Sequence, residues 1–236
     1  MKEKSSPFLS GIRDGIPIAL GYFAVSFALG ITAKKVGLSA PASGLMSALM
    51  IASAGEFAAL NVIAESAPYL EMVATMLIIN LRYLLLSCSL SQKFSDKTPF
   101  FHRFFVGFFV TDEIAGISFA REGHLVPSYV YGAAAISVPA WVAGTVLGVL
   151  AGEILPPALS SALGVALYGM FLAIIVPPAR REKFLALLVA VSMLCSFAAE
   201  RLPVVGSLSS GIRIILLTLL LSAAAALIKP RKEEDA

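Results

Sequence analysis

Among the polar or ionisable side chains inside apolar stretches of this chain, Glu56, Asn80, Arg82, Tyr83, Asp112 and Glu113 are those whose types and spacing could do chemistry. Arg82, in MLIINLRYLLLSCSL, is the one charge between Met72 and Gln92. A guanidinium keeps its proton, and its planar fork matches a carboxylate. Arg82 can therefore recognise the α-carboxylate of a substrate or pair with an internal acid such as Asp112 or Glu113. Snorkelling to the interface is a further option for so long a side chain. Asn80 lies two residues earlier, about 200° away around a helix. At least one of the two must then meet another helix rather than a common ligand.

Glu56 lies in MIASAGEFAALNVI, preceded by Ala52, Ser53, Ala54 and Gly55. These small residues allow close backbone approach. The carboxyl can face a cavity, bind a proton, a cation or an amine, or be paired locally. Exposure to lipid is disfavoured, because a central charge costs roughly 2.5–3.5 kcal/mol on insertion scales. In FVTDEIAGIS the adjacent acids Asp112 and Glu113 point in different directions, so one can pair with Arg82 while the other faces water. Either can carry a proton; alternatively Thr111 or Asp112 is an N-cap. Asn61 and Tyr83 need polar partners if buried.

Covalent chemistry finds no support. HExxH, GxSxG, P-loop and CxxC patterns are missing, and His102 and His124 stand isolated in loops. The loops are too short for a separate catalytic domain. Cys88 and Cys195 read as small buried hydrophobes, not as a disulfide or metal site. The reading is therefore no enzyme, no cofactor and no metal.

The elements that must position these groups are written in the composition. Of 236 residues, 58% are hydrophobic and 14% charged, against about 25% charged in soluble domains. The mean hydropathy is +0.87. The net charge of +3 is clustered, not spread into the basic face that nucleic acid requires. A spanning helix needs about 20 apolar residues. The apolar runs are 16–33 (its helix starting near Ile12), 42–64, 72–92, 104–120, 129–150, 159–176, 184–199 and 206–228. The first reads as a span, not a signal peptide.

The expected fold is all-α: a polytopic transmembrane helical bundle of six to eight crossings, with room for broken or re-entrant helices. Residues 1–11 form a polar N-terminal segment, 12–228 one permease domain and 229–236 a polar tail. Runs 42–64 and 184–199 are the weakest spans. Basic residues should gather on the cytoplasmic side, at the amino terminus, Lys93–Arg103, Arg180–Lys183 and Lys229–Lys232. Three simple spans between Arg103 and Arg180 would put those two clusters on opposite faces, so one segment must re-enter, and the short Asp112-bearing one is the candidate. Pro17 and Gly21 share a face, as a kink or packing site. Gly11, Gly15, Gly21 and Gly30, Gly55, and the pair Gly144 and Gly148 offer close-packing surfaces, within the chain or toward a partner. SGIRDGIPIAL and SGIRIILLTLL echo each other too weakly to establish a repeat.

Taken in order, these elements resemble the AzlC family, the large subunit of branched-chain amino acid exporters. The resemblance covers about Ser10 to Lys229. It is carried by Gly15-Ile16-Pro17, Gly21-Tyr22 and Ala28-Leu29-Gly30, by Ala54-Gly55-Glu56-Phe57, by Asn80-Leu81-Arg82-Tyr83 and by Thr111-Asp112-Glu113. Two departures stand out. Glu56 occupies a place where family members resemble AGxxQF, and Tyr83 follows the NxR element where His is usual. The resemblance implies a multi-pass permease of the bacterial cytoplasmic membrane. It would export branched-chain or related hydrophobic amino acids with a small AzlD-like membrane subunit, homo-oligomers also being conceivable. Glu56, Asn80, Arg82, Tyr83, Asp112 and Glu113 would form its substrate or coupling-ion site. The competing reading is a membrane scaffold or assembly subunit whose charges only satisfy one another.

Overall fold

The structure is a computed structural model and describes residues 6–152, 172, 176, 179–203, 205 and 207–229. Nine helices are described: α1 (Pro7–Lys35), α2 (Ala40–Met50), α3 (Ser53–Ala64), α4 (Tyr69–Gln92), α5 (Phe100–Phe108), α6 (Asp112–Phe119), α7 (Pro127–Ala151), α8 (Lys183–Arg201) and α9 (Ser210–Ile228). Among the described residues α1, α4, α7 and α8 are long and apolar enough to cross a membrane. The expected span 159–176 lies outside the described residues, apart from Leu172 and Val176. The chain divides into two compact units, Met1–Phe57 with Asn80–Leu167 and Ala58–Ile79 with Tyr168–Ala236.

The first unit is built on α1 and α7. α1 starts at Pro7 rather than near Ile12, because the Ser6 side chain accepts the Leu9 N–H and Pro7 sits at the first turn, where its missing N–H is harmless. It runs unbroken through Pro17 to Lys35. The two helices touch backbone to backbone. A Cβ at Gly11 would collide with the Tyr129 carbonyl, at Gly30 with that of Thr145, at Gly132 with that of Phe8, and at Gly148 with that of Phe27. Lipid tails are as apolar as the side chains, so dispersion at such close approach holds membrane helices together. The Gly144/Gly148 surface is thus taken by α1 of the same chain and is not available to a second subunit. Gly21 takes no part: nothing described lies within 4 Å of a Cβ placed there. Because Gly11 meets Tyr129 while Gly30 meets Thr145, α1 and α7 run parallel.

Two of the expected spans are broken. Run 42–64 becomes α2 and α3, separated at Ile51 and Ala52. Ile51 closes α2 with φ 46° and ψ 40°, a left-handed conformation. That is a strained place for a β-branched residue. Run 104–120 becomes α5 and α6, separated at Phe109–Thr111. Thr111 caps α6, its hydroxyl accepting the Ile114 N–H at 3.2 Å. The α6 C-terminus is held by Lys93, whose Nζ donates to the Ser118 carbonyl at 3.2 Å and also to the Phe119 and Arg121 carbonyls. A cation there offsets the negative end of the helix dipole.

α5 and α6 begin and end on one side. The Lys93 carbonyl accepts the Leu125 N–H at 2.9 Å, Arg103 donates to the Ser91 and Ser95 carbonyls at 2.8 and 2.9 Å, and His102 Nδ1 lies 3.0 Å from the Tyr131 hydroxyl. The start of α5, the end of α6 and the start of α7 therefore cluster together, so α5 and α6 form a hairpin rather than one continuous span.

In the second unit α8 and α9 are antiparallel, closed by an ion pair between Lys229 and Glu182. Ser209, the N-cap of α9, bonds Glu71 of α4. Cys88 and Cys195 are free thiols; Cys88 is exposed rather than buried.

Candidate functional site

α4 turns one face inward and another outward. Leu77, Leu81 and Leu84 are more than half exposed, whereas Leu90 is buried and Arg82 lies on its side of the helix, two turns earlier. There Arg82 Nη1 meets Asp112 Oδ2 at 2.6 Å. Its Nη2 donates to the Tyr83 hydroxyl at 3.0 Å, and the guanidinium lies over the Tyr83 ring, 4.8 Å from its centroid. The internal-acid alternative is thus the geometry found, and Asp112 is the acid. Arg82 Nε is buried without a partner among the described residues, as is Asn80 Oδ1. Asn80 points elsewhere, as the two-residue spacing requires. Its amide lies where a side chain on Gly55 would be, 3.0–3.2 Å from the Cβ position.

Glu113 diverges from Asp112 and turns to α1. The Tyr22 hydroxyl lies 2.7 Å from Glu113 Oε2 and 2.6 Å from Thr111 Oγ1. With one phenolic proton, Tyr22 donates to the carboxylate, and the Thr111 hydroxyl completes the contact. The Tyr22 ring also packs edge-on against Trp141 of α7, centroids 5.4 Å apart.

Glu56 is wholly buried behind Trp141. Trp141 Nε1–H and the Ala52 N–H both donate to its Oε1, at 2.9 and 3.3 Å. Ser47 Oγ lies 2.6 Å from Oε2 and 2.8 Å from Thr145 Oγ1. Thr145 in turn donates to the Trp141 carbonyl at 3.2 Å. No cation contacts this carboxyl among the described residues.

The two helix breaks converge. Ile51 and Ser53 from the first, Thr111 and Glu113 from the second, and Tyr22, Tyr83 and Trp141 line one small cavity, about 10 Å³ in volume. That is room for about one water molecule and too little for any amino acid, so this conformation is closed around its polar centre. Broken helices that meet inside the protein supply free backbone ends and polar side chains without exposing either to lipid.

Of the six sequence candidates, Arg82, Tyr83 and Asp112 form one cluster, Glu113 joins Tyr22, Glu56 has a separate cage, and Asn80 faces Gly55. Asn61 is exposed. The Tyr22, Ser47, Trp141 and Thr145 contributions were not foreseen. Tyr22 stood beside Gly21 in the early motif, and Trp141 is the sole tryptophan of the chain; Ser47 and Thr145 carry no signal that separates them from ordinary helix hydroxyls.

An all-α fold with several membrane-length helices and a buried polar centre defines a polytopic membrane protein. The chain belongs to the AzlC family: the family model, described as AzlC protein, matches residues 17–155, a range that holds every residue of the site. The chain is 31% identical over 177 residues to an uncharacterized membrane protein of Archaeoglobus fulgidus, covering 74% of this chain and 77% of that one. It is 27% identical over 194 residues to inner membrane protein YgaZ of Escherichia coli strain K12, covering 79% of each. No solved structure matches. The family is one of membrane transporters, not enzymes, and the chain is a multi-pass permease-type protein of the cytoplasmic membrane.

Proposed function

We propose that this chain is a secondary permease that exports branched-chain or related hydrophobic amino acids by alternating access, as one domain over residues 12–228 and together with a small AzlD-like subunit. The observation that carries this reading is the convergence of two broken-helix segments on a polar centre whose ion pair keeps open valences. Arg82 Nε and Asn80 Oδ1 have no partner among the described residues, while Asp112 holds Arg82. A substrate carboxylate would compete with Asp112 for the guanidinium, so the pair serves as the lock of the closed state. Glu113 with Tyr22, or Glu56, would take up the substrate amine or the coupling proton. The aliphatic side chain would be read by packing, which discriminates only about 1–3 kcal/mol per methylene.

The proposal has six crossings: α1, α4, α7, the run 159–176, α8 and α9. With α2–α3 and α5–α6 both re-entrant, six crossings put the amino terminus, Lys93–Arg103, Arg180–Lys183 and Lys229–Lys232 on one side, as the positive-inside rule asks.

The test is efflux from cells loaded with dipeptides, expressing the chain with and without its small partner. Leucine, isoleucine, valine and methionine are expected to leave faster only when both are present. Arg82→Lys and Asp112→Asn should each reduce that flux; unchanged flux in both removes the site assignment. A scaffold is favoured by one observation, the direct Arg82–Asp112 pair, and predicts no flux with any partner.

A further inference from the structure

Three hydrogen bonds run in a line from Glu56: Oε2 to Ser47 at 2.6 Å, Ser47 to Thr145 at 2.8 Å, and Thr145 to the Trp141 carbonyl at 3.2 Å. Each bond needs one proton. Ser47 and Thr145 supply one apiece, and a carbonyl supplies none. The third proton can come only from the Glu56 carboxyl. The other oxygen agrees with this count. Oε1 accepts from both Trp141 and Ala52, which fills the two lone pairs of a carbonyl oxygen, while Oε2 touches the single hydroxyl of Ser47. An ionised carboxylate would leave Oε2 under-bonded in a fully buried site, which is costly at low dielectric. A neutral acid satisfies every atom, with Oε2–H donating to Ser47, Ser47 to Thr145 and Thr145 to the Trp141 carbonyl.

We infer that Glu56 is a proton-binding site of this protein, loaded in the present conformation, and that the Ser47–Thr145 hydroxyl pair reports its load to α7. This rests on the permease reading for its role, as the site of the coupling proton, but not for its chemistry. Loss of the proton reverses both hydroxyls: Thr145 donates to Ser47, Ser47 donates to the carboxylate, and the bond to the Trp141 carbonyl is given up. Proton exchange thereby alters a helix contact on α7, whose Trp141 ring packs on Tyr22 and walls the central cavity.

Among the described residues, the groups in direct contact with Glu56 carry no charge. α2 brings Ser47 and α7 brings Trp141 and Thr145, none of which titrates in the ordinary range. Across the Trp141 ring lie Tyr22 of α1, Tyr83 of α4 and Glu113 of α6. Of the charged groups there, the Glu113 carboxylate accepts the Tyr22 hydroxyl proton and Arg82 and Asp112 pair with each other. The amide expected at this position from the AGxxQF resemblance matches the neutral acid in shape and hydrogen bonding. Glu56→Gln therefore has the donors and acceptors to keep the cage.

The experiment is infrared spectroscopy on the purified full chain at mildly alkaline pH, where ordinary carboxyls are ionised. The wild type is expected to show a protonated-carboxyl C=O band that shifts in D2O. Glu56→Gln should abolish it, and Ser47→Ala should move it, because the O–H loses its acceptor. In vesicles, the flux that Glu56→Gln retains should no longer respond to an imposed pH gradient. Absence of the band, or its persistence in Glu56→Gln, overturns the proton site. Flux in Glu56→Gln that still follows the gradient overturns its coupling role. A wild type with no amino acid flux at all removes the export reading alone, and the band by itself then decides the proton site.

Discussion

Arg82 and Asp112 define the energetics at the scale of single residues. Their side chains are 38% and 25% exposed, so the pair is neither a surface contact worth little nor a sealed one. Removing one partner of a fully buried pair costs about 3–5 kcal/mol, mainly because the remaining charge is stranded. Asp112→Asn should fall below that range, lowering the melting temperature in detergent. Reversing the pair, with Arg82→Asp and Asp112→Arg together, should recover much of the loss, since the attraction is symmetric. A double variant no more stable than the worse single one would show that the acid serves α6 rather than Arg82. Tyr83 supports the guanidinium through its hydroxyl and its ring face. A titratable His in the same place would have coupled that support to pH.

At the scale of elements, the half-helices place the chemistry. α6 is only eight residues long and would be marginal alone. Thr111 at one end and Lys93 at the other fix it, which aims Asp112 at Arg82 and Glu113 at Tyr22. The α2–α3 elbow is set by Ile51 in a left-handed conformation, which costs a residue with a Cβ about 1–2 kcal/mol. Truncating the buried Ile51 to Ala or Gly removes the same packing, but only Gly relieves the strain. Ile51→Gly should therefore be more stable than Ile51→Ala by about 1 kcal/mol in a thermal melt, the reverse of the order inside a helix. Equal melts, or Ala the more stable, would place the elbow's origin in the neighbouring packing. α1 and α7, whose backbones meet at glycines on both helices, form the rigid pair against which these elbows are held.

For the whole molecule, the parallel course of α1 and α7 dictates sidedness. The start of α1, the 93–99 loop and the turn before α7 belong on one face, while Gly37 and Gly152 belong on the other. Single cysteines placed at Ser6 and Gly123 in a cysteine-free background should react with an impermeant maleimide from the same side. A cysteine at Gly37 should react from the opposite side. Labelling of all three from one side would mean that α1 does not cross. If this face carries Arg13, Lys93, Lys97 and Arg103, the positive-inside rule predicts that it is the cytoplasmic one.

The residue order alone determined the solvent, the helical class and the family, because hydropathy and helix period are local properties; it picked out the buried Glu56 but not the buried Ser47 and Thr145. It also singled out the short Asp112-bearing segment as unlike a simple span, and that run is indeed split into α5 and α6. The Asn80 and Arg82 spacing likewise required two different partners. What only the tertiary structure decided is which groups meet. Trp141 reaches Glu56 across 85 positions and Tyr22 reaches Glu113 across 91. Such contacts depend on how closely α1 and α7 approach and where α2 and α6 stop, and no pattern within one helix encodes either. The same holds for Gly21 and Gly30, which look alike in the chain: one has nothing within 4 Å among the described residues and the other meets a carbonyl of α7, a difference set by the rotation of α1 against its neighbour.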